Sequence, residues 1–161
     1  MIASIEKTKV GYTARFDRHF TCSVTDLWSW LTENDKLSQW FPELRIKDLR
    51  EGGSLIFDMP SGTAIAMEIT DFTSHAVLEF TWGADLVRFE LSPERQGCHL
   101  VLIERMGKVT GHTAKDLAGW QVCLEVISSL MEGKSLESRD DVWDKWYGEY
   151  VWLLQPYVTA D

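Results

Sequence analysis

Apolar residues recur along this chain at two spacings, and the change between them divides it. From Leu44 to Met106 the spacing is mostly two. The runs are Leu44 and Ile46, with Leu49 beyond; Leu55, Phe57 and Met59; Ile65, Met67 and Ile69; Leu78, Phe80 and Trp82; Val87, Phe89 and Leu91; and Leu100, Leu102, Glu104 and Met106. Alternation puts one set of side chains on one face of a strand. Turn residues separate the runs at Glu51-Gly52-Gly53, Pro60-Ser61-Gly62, Gly83-Ala84-Asp85 and Ser92-Pro93-Glu94 through Gly97. This predicts a meander of at least five antiparallel strands whose apolar parities face the same way.

On either side of the meander the spacing is helical. Residues 1 to about 10 are polar and unpatterned, and a first strand follows over Tyr12, Ala14 and Phe16. Ser23 with Asp26 resembles a capping box for a short helix from about Val24 to Thr32. Asn34 or Asp35 is expected to cap a second short helix through Trp40, which Pro42 stops. After the meander, Leu117, Trp120, Leu124, Ile127 and Met131 mark one buried stripe of a long helix. Its cap is expected at Thr113 with Asp116, and its end at Gly133. Gly119, inside it, suggests close backbone approach to the sheet. A polar linker leads to a last helix over about residues 140–155, with Asp140 or Asp141 as cap and Pro156 as stop. A curved antiparallel sheet gripping one helix covers the apolar face of each, so the expected class is α+β with a helix-grip arrangement.

Composition narrows the function classes. A length of 161 residues fits one domain, with its core at about 12–132 and the tail helix added to it. The net charge of −9, with no cluster of Lys and Arg, speaks against nucleic acid and membrane surfaces as partners. The N-terminus lacks a signal-peptide run, and Cys22, Cys98 and Cys123 lack paired spacing, so reduced thiols in the cytoplasm are expected. Eight Trp imply an aromatic interior.

The run VTDLWSWLTENDKLSQWF from Val24 to Phe41, the Gly52-Gly53 pair, LEFTW from Leu78 to Trp82, and Gly119-Trp120 followed by Leu124 and Leu130 carry a resemblance. At these residues the chain resembles the START-like superfamily, also called Bet v 1-like, SRPBCC, or polyketide cyclase and lipid transport. Within it the chain is most similar to relatives of the C-terminal domain of the activator of the Hsp90 ATPase. The resemblance covers roughly residues 12 to 132, and the Trp-rich tail looks like an extension seen in some bacterial members. It implies a hydrophobic ligand pocket, and, through the co-chaperone, a link to protein partners and the stress response. The separate N-terminal domain of the co-chaperone has no counterpart here.

The candidate pocket lies between sheet and long helix. Its walls are the inward parities Leu55, Phe57, Met59, Met67, Phe80, Trp82, Phe89 and Leu102, with Trp120 and Leu124 from the helix and Trp40 at one end. The same residues could equally fill a core. Glu104 shares the inward parity. There it would orient a ligand hydroxyl or serve as an acid or base; otherwise it lies in water at the strand end or pairs with Arg88 or Arg105. Four His at unrelated spacings predict no metal site, and no motif announces a cofactor or a nucleophile. Trp143, Trp146, Tyr147 and Tyr150 form either a partner or homodimer surface or a face that docks on the sheet or the short helices. The leading expectation is non-catalytic binding of a small lipid-like or aromatic molecule. The alternatives are a protein-interaction module and a cyclase- or hydrolase-type enzyme using Glu104.

Overall fold

The computed structural model describes residues 1–158. Its strands are β1 Ser4–Thr8, β2 Gly11–Phe20, β3 Leu44–Asp48, β4 Ser54–Asp58, β5 Ala64–Thr73, β6 Val77–Trp82, β7 Asp85–Glu94 and β8 Gly97–Met106. They form one antiparallel, curved and unclosed sheet in the order β1-β2-β8-β7-β6-β5-β4-β3. Four helices accompany it: α1 Val24–Thr32, α2 Asn34–Trp40, α3 Thr113–Met131 and α4 Arg139–Leu154.

Two strand expectations are corrected. The N-terminal residues are not unpatterned coil, since β1 pairs with β2 along its whole length, Ser4 opposite Arg15 to Thr8 opposite Gly11. It escapes pattern reading because it is a mostly exposed edge strand whose only large apolar residue is Ile5. Likewise Ser92, Pro93 and Glu94 belong to β7 and not to the turn. Pairing of β7 with β6 ends at Val77 opposite Glu90, so Pro93 sits where the strand has β8 as its partner on one side, and its missing N–H costs no ladder bond.

One irregularity shapes the molecule. β5 pairs with β4 through Ala64–Glu68 and with β6 through Ile69–Thr73, with the register shifting between Ile69 and Asp71. The strand changes partner at this shift, a bulge-like break that bends a sheet. Its first half, carrying Ile65 and Met67, therefore diverges from the end of β6, and a gap opens between Met67 and Trp82.

Helix starts obey fewer sequence rules than expected. Ser23 does cap α1, its Oγ accepting the Asp26 amide at 3.1 Å. The cap position of α2 is Glu33, without a side-chain bond. Asn34 instead reaches β3, donating to the Ile46 carbonyl at 2.9 Å and accepting the Ile46 amide at 2.7 Å. His112 occupies the cap position of α3 and Ser138, in a left-handed conformation, that of α4. Thr113 accepts the Thr110 amide at 3.0 Å, and neither Asp140 nor Asp141 caps. Gly133 closes α3 with φ of +72°.

The single stripe expected on α3 is too narrow. Leu117, Trp120, Leu124 and Ile127 are buried and Met131 only partly so, but Ala118, Gln121, Val122 and Val126 are buried as well. The cause is α4, which packs chiefly on α3, while its Tyr150 ring lies 6.4 Å from Phe16 of β2 and its Arg139 donates to the Trp40 carbonyl of α2 at 3.1 Å. Tyr150, fully buried, donates to Gln121 Oε1 at 2.6 Å and accepts the Ala3 amide at 2.9 Å. Trp146 donates to Glu125 at 3.1 Å, and Trp143 stacks on Tyr147. Pro156 lies in a 3-10 turn, Gln155–Tyr157, that follows the helix.

Candidate functional site

Directly beneath α3 the side chains are almost wholly buried. Trp40, Leu55, Phe80, Phe89, Leu102 and Leu124 are each no more than 2% exposed. Among the residues expected to wall a pocket, these six form the packed core and line neither lobe described next. Trp120 stands at the edge of that core, its ring 5.2 Å from Trp82, 5.6 Å from Phe41 and 6.0 Å from Phe89.

The open volume lies beside Trp120, toward the start of α3. One lobe, of about 280 Å³, is walled by Phe41, Phe57, Trp82, Gly119, Trp120 and Cys123, with Glu43, His112, Lys115, Asp116 and Arg139 supplying polar groups. A second, of about 400 Å³, occupies the gap left by β5 and adds Met59, Ile65, Met67 and Asp85. Phe57, Trp82, His112 and Asp116 border both, so the lobes form one cleft. Gly119 does not bring the backbone close to the sheet: a Cβ built there meets nothing within 4 Å, and the missing side chain widens the first lobe. Cys123 offers no thiolate, because burial pushes its thiol up to about 12.

At the wall of this cleft three carboxylates converge. Asp85 opens β7, Glu104 lies on β8 opposite Val87, and Asp116 is in the first turn of α3; one oxygen from each lies within 4.8 Å of the others. The expectation that Glu104 sits in water or pairs with Arg88 or Arg105 is overturned. Its residue is 1% exposed, and both oxygens are buried without a hydrogen-bond partner. Arg88 is engaged elsewhere, by Asp71, Glu79 and Glu90, and Arg105 approaches Glu79 at 3.9 Å.

Burial, and after it the neighbouring Asp116 and Asp85, raises the Glu104 pKa well above the ordinary value. Burial also raises Asp85. Glu104 thus keeps its proton to higher pH than a free carboxyl does, with an acid on either side. Trp82 donates its indole N–H to Asp116 Oδ1 at 2.9 Å and fixes that carboxylate, whereas the Trp120 indole nitrogen is buried and unpartnered. An aromatic wall with convergent polar groups left unsatisfied is the usual make-up of a ligand site.

Of the pocket residues expected from sequence, the structure therefore places Phe57, Met59, Met67, Trp82 and Trp120 on the cleft and Glu104 behind its acidic wall. Phe41, Ile65, Asp85, His112, Asp116 and Gly119 were missed. Asp85 and Asp116 do carry sequence signals, but those of a turn and of a helix start, which conceal any other role.

An eight-stranded sheet gripping a long helix, with two short helices between its second and third strands, defines a helix-grip protein of the START-like superfamily. The profile of the family described as activator of Hsp90 ATPase homolog 1-like protein matches residues 21–132, and the chain belongs to that family. A conserved protein of unknown function from Enterococcus faecalis, EF2215, is 26% identical with a TM-score of 0.85, over 96% of this chain and 91% of its own. That coverage exceeds the family match and takes in much of the C-terminal helix. CalU16 from Micromonospora echinospora aligns at 18% identity and a TM-score of 0.73, over 95% of this chain and 96% of its own. DynU16, from the dynemicin biosynthetic locus, aligns at 20% identity and a TM-score of 0.65, over 76% of this chain and 48% of its own. Comparison with curated proteins gives no match. No helix among the described residues is long and apolar enough to cross a membrane.

Proposed function

We propose that the chain binds one small, flat, largely apolar molecule in the two-lobed cleft and does not transform it. The observation that carries this reading is the cleft itself, aromatic and Met-walled, with lobes of about 280 and 400 Å³ meeting at Trp82. Ligand pockets run to about 300–1,000 Å³. The binding residues in this reading are Phe41, Phe57, Met59, Met67, Trp82 and Trp120, with the acids selecting what enters. The other expected residues, Trp40 and Leu124 among them, support these walls from behind.

The test is thermal denaturation against a panel of polycyclic aromatic and lipid-like compounds, followed by titration of tryptophan fluorescence. A ligand present at about 100 times its Kd adds about 2.7 kcal/mol to stability, well within detection. Gly119→Leu, which pushes a side chain into open space, is expected to fold and to abolish the shift. A panel that produces no shift in the wild-type protein, or a Gly119→Leu variant that binds normally, overturns the proposal.

The interaction-module reading has weaker support. Tyr150 is inside, Trp146 is bonded to Glu125, and the aromatic residue that α4 exposes most is Trp152, 74% accessible. Trp152→Ala abolishing capture of a partner, with Gly119→Leu silent, would favour it.

A further inference from the structure

The proposed binding reading leaves the ligand's chemistry open, and the acidic wall of the cleft narrows it. We propose that Asp85, Glu104 and Asp116 form a receptor for a protonated primary amine, carried by the flat apolar body that the cleft takes. The inference rests on the binding reading and adds a chemical class to it.

Three points no more than 4.8 Å apart share a centre about 2.8 Å or less from each. That is the length of a charge-assisted N–H···O contact, about 2.7–2.9 Å. A primary ammonium offers three N–H donors and no acceptor, so three carboxylate oxygens around one point match it group for group. Glu104 supplies a second observation beyond the clustering of acids. Both its oxygens are sealed from water and no N–H or hydroxyl among the described residues reaches them, so the polar groups beside it are the two acids, with which it can do no more than share a proton. The largest influences on it, burial first and then Asp116 and Asp85, all favour the protonated form. A cation placed among the three acids would give Glu104 donors that neither neighbour supplies.

The surroundings select an organic cation over a metal ion. Ca²⁺ takes about 6–8 oxygen ligands, and Mg²⁺ retains several waters in strict octahedral geometry. Beyond the acids, the second lobe offers the single imidazole of His112 and otherwise largely apolar side chains such as Met59, Met67 and Trp82. Thioethers and hydrocarbon do not complete such a shell, whereas indole faces attract an ammonium and accept the carbon skeleton attached to it. Trp82 does both jobs, since its N–H holds Asp116 while its ring borders both lobes.

Calorimetric titration of the full chain with 2-(1-naphthyl)ethylamine and with its neutral isostere 2-(1-naphthyl)ethanol tests the inference. At neutral pH the amine is expected to bind at least tenfold more tightly. Its binding releases a proton from Glu104, so the apparent enthalpy changes between buffers of different ionisation heat. Glu104→Gln, isosteric and uncharged, should shrink the preference below threefold and abolish the buffer dependence while leaving alcohol binding intact. Asp116→Asn, at a partly exposed position and able to keep the Trp82 bond, is expected to reduce the preference independently. Equal binding of amine and alcohol by the wild-type protein overturns the inference and leaves the binding reading standing. If neither compound binds, the inference falls and the wider panel decides the reading beneath it. Mn²⁺ or Ca²⁺ alone raising the melting temperature of the wild-type protein but not of Glu104→Gln, without any preference for the amine, overturns it in favour of a metal site.

Discussion

Glu104 ties the chemistry of the cleft to the stability of the fold. In the folded protein its carboxyl keeps a proton at pH values where the unfolded chain, titrating near 4.5, has released it. Over that interval the folded state binds more protons, so the free energy of unfolding falls as the pH rises. The stability this group contributes is complete below its unfolded pKa and is lost as the pH passes through the raised, folded one. Glu104→Gln removes the titration without changing the shape of the side chain. The wild-type melting temperature should therefore fall relative to that of the variant as the pH rises above the ordinary carboxyl range. A difference between the two that stays constant over that rise would show that Glu104 is not held as a buried acid. The parity of Leu100, Leu102 and Glu104 made its inward direction legible in sequence. Its company was not, because Asp85, Glu104 and Asp116 come from two different strands and a helix, and no spacing along the chain encodes their meeting.

Among elements, those with a strict period were read correctly and those held by tertiary contacts were not. Alternation located the strands from β3 to β8, three- and four-residue steps located α1, α3 and α4, and a polar start with Pro42 as the stop located α2. Edge strand β1 has too few apolar residues to show a period, and the caps of α2 and α3 were misassigned because Asn34 and Asp116 have partners elsewhere. Asn34 serves β3, Asp116 serves Trp82, and Tyr150 joins α4 to α3 and to the N-terminal segment. Tyr150→Phe keeps the ring and deletes the hydroxyl, leaving the Ala3 amide and Gln121 Oε1 without this partner in a fully buried place. An unsatisfied buried group costs about 1–3 kcal/mol, so the midpoint of urea unfolding should drop by a corresponding amount with its slope unchanged. An unchanged midpoint would mean that water replaces the hydroxyl and that the junction of α3, α4 and the N-terminus is looser than its geometry.

At the scale of the whole molecule, the family match and the packing do not end at the same residue. The match ends at residue 132, as though α4 were an appendage. The packing argues otherwise. Gln121 and Glu125 bond to Tyr150 and Trp146, which marks the face of α3 that meets α4, and Ala118 and Val122 lie on that same helical face. A chain ending after Gly133 would return these residues to water and would also discard Tyr150 and Leu154, both buried. Burial of a large apolar side chain is worth roughly 1.5–3 kcal/mol, and a domain is stable by only about 5–15 kcal/mol in all. Losing several such side chains together removes most of that margin. Truncation after Gly133 should therefore give a protein that aggregates or melts without a sharp transition, even though every residue of the family match is present. A truncated chain that unfolds cooperatively near the wild-type temperature would instead make α4 a dispensable cover. In the first case the cleft depends on α4 as well, because Trp120 and Gly119 occupy the same α3 whose other side α4 buries. Ligand binding and the tail helix should then be lost together.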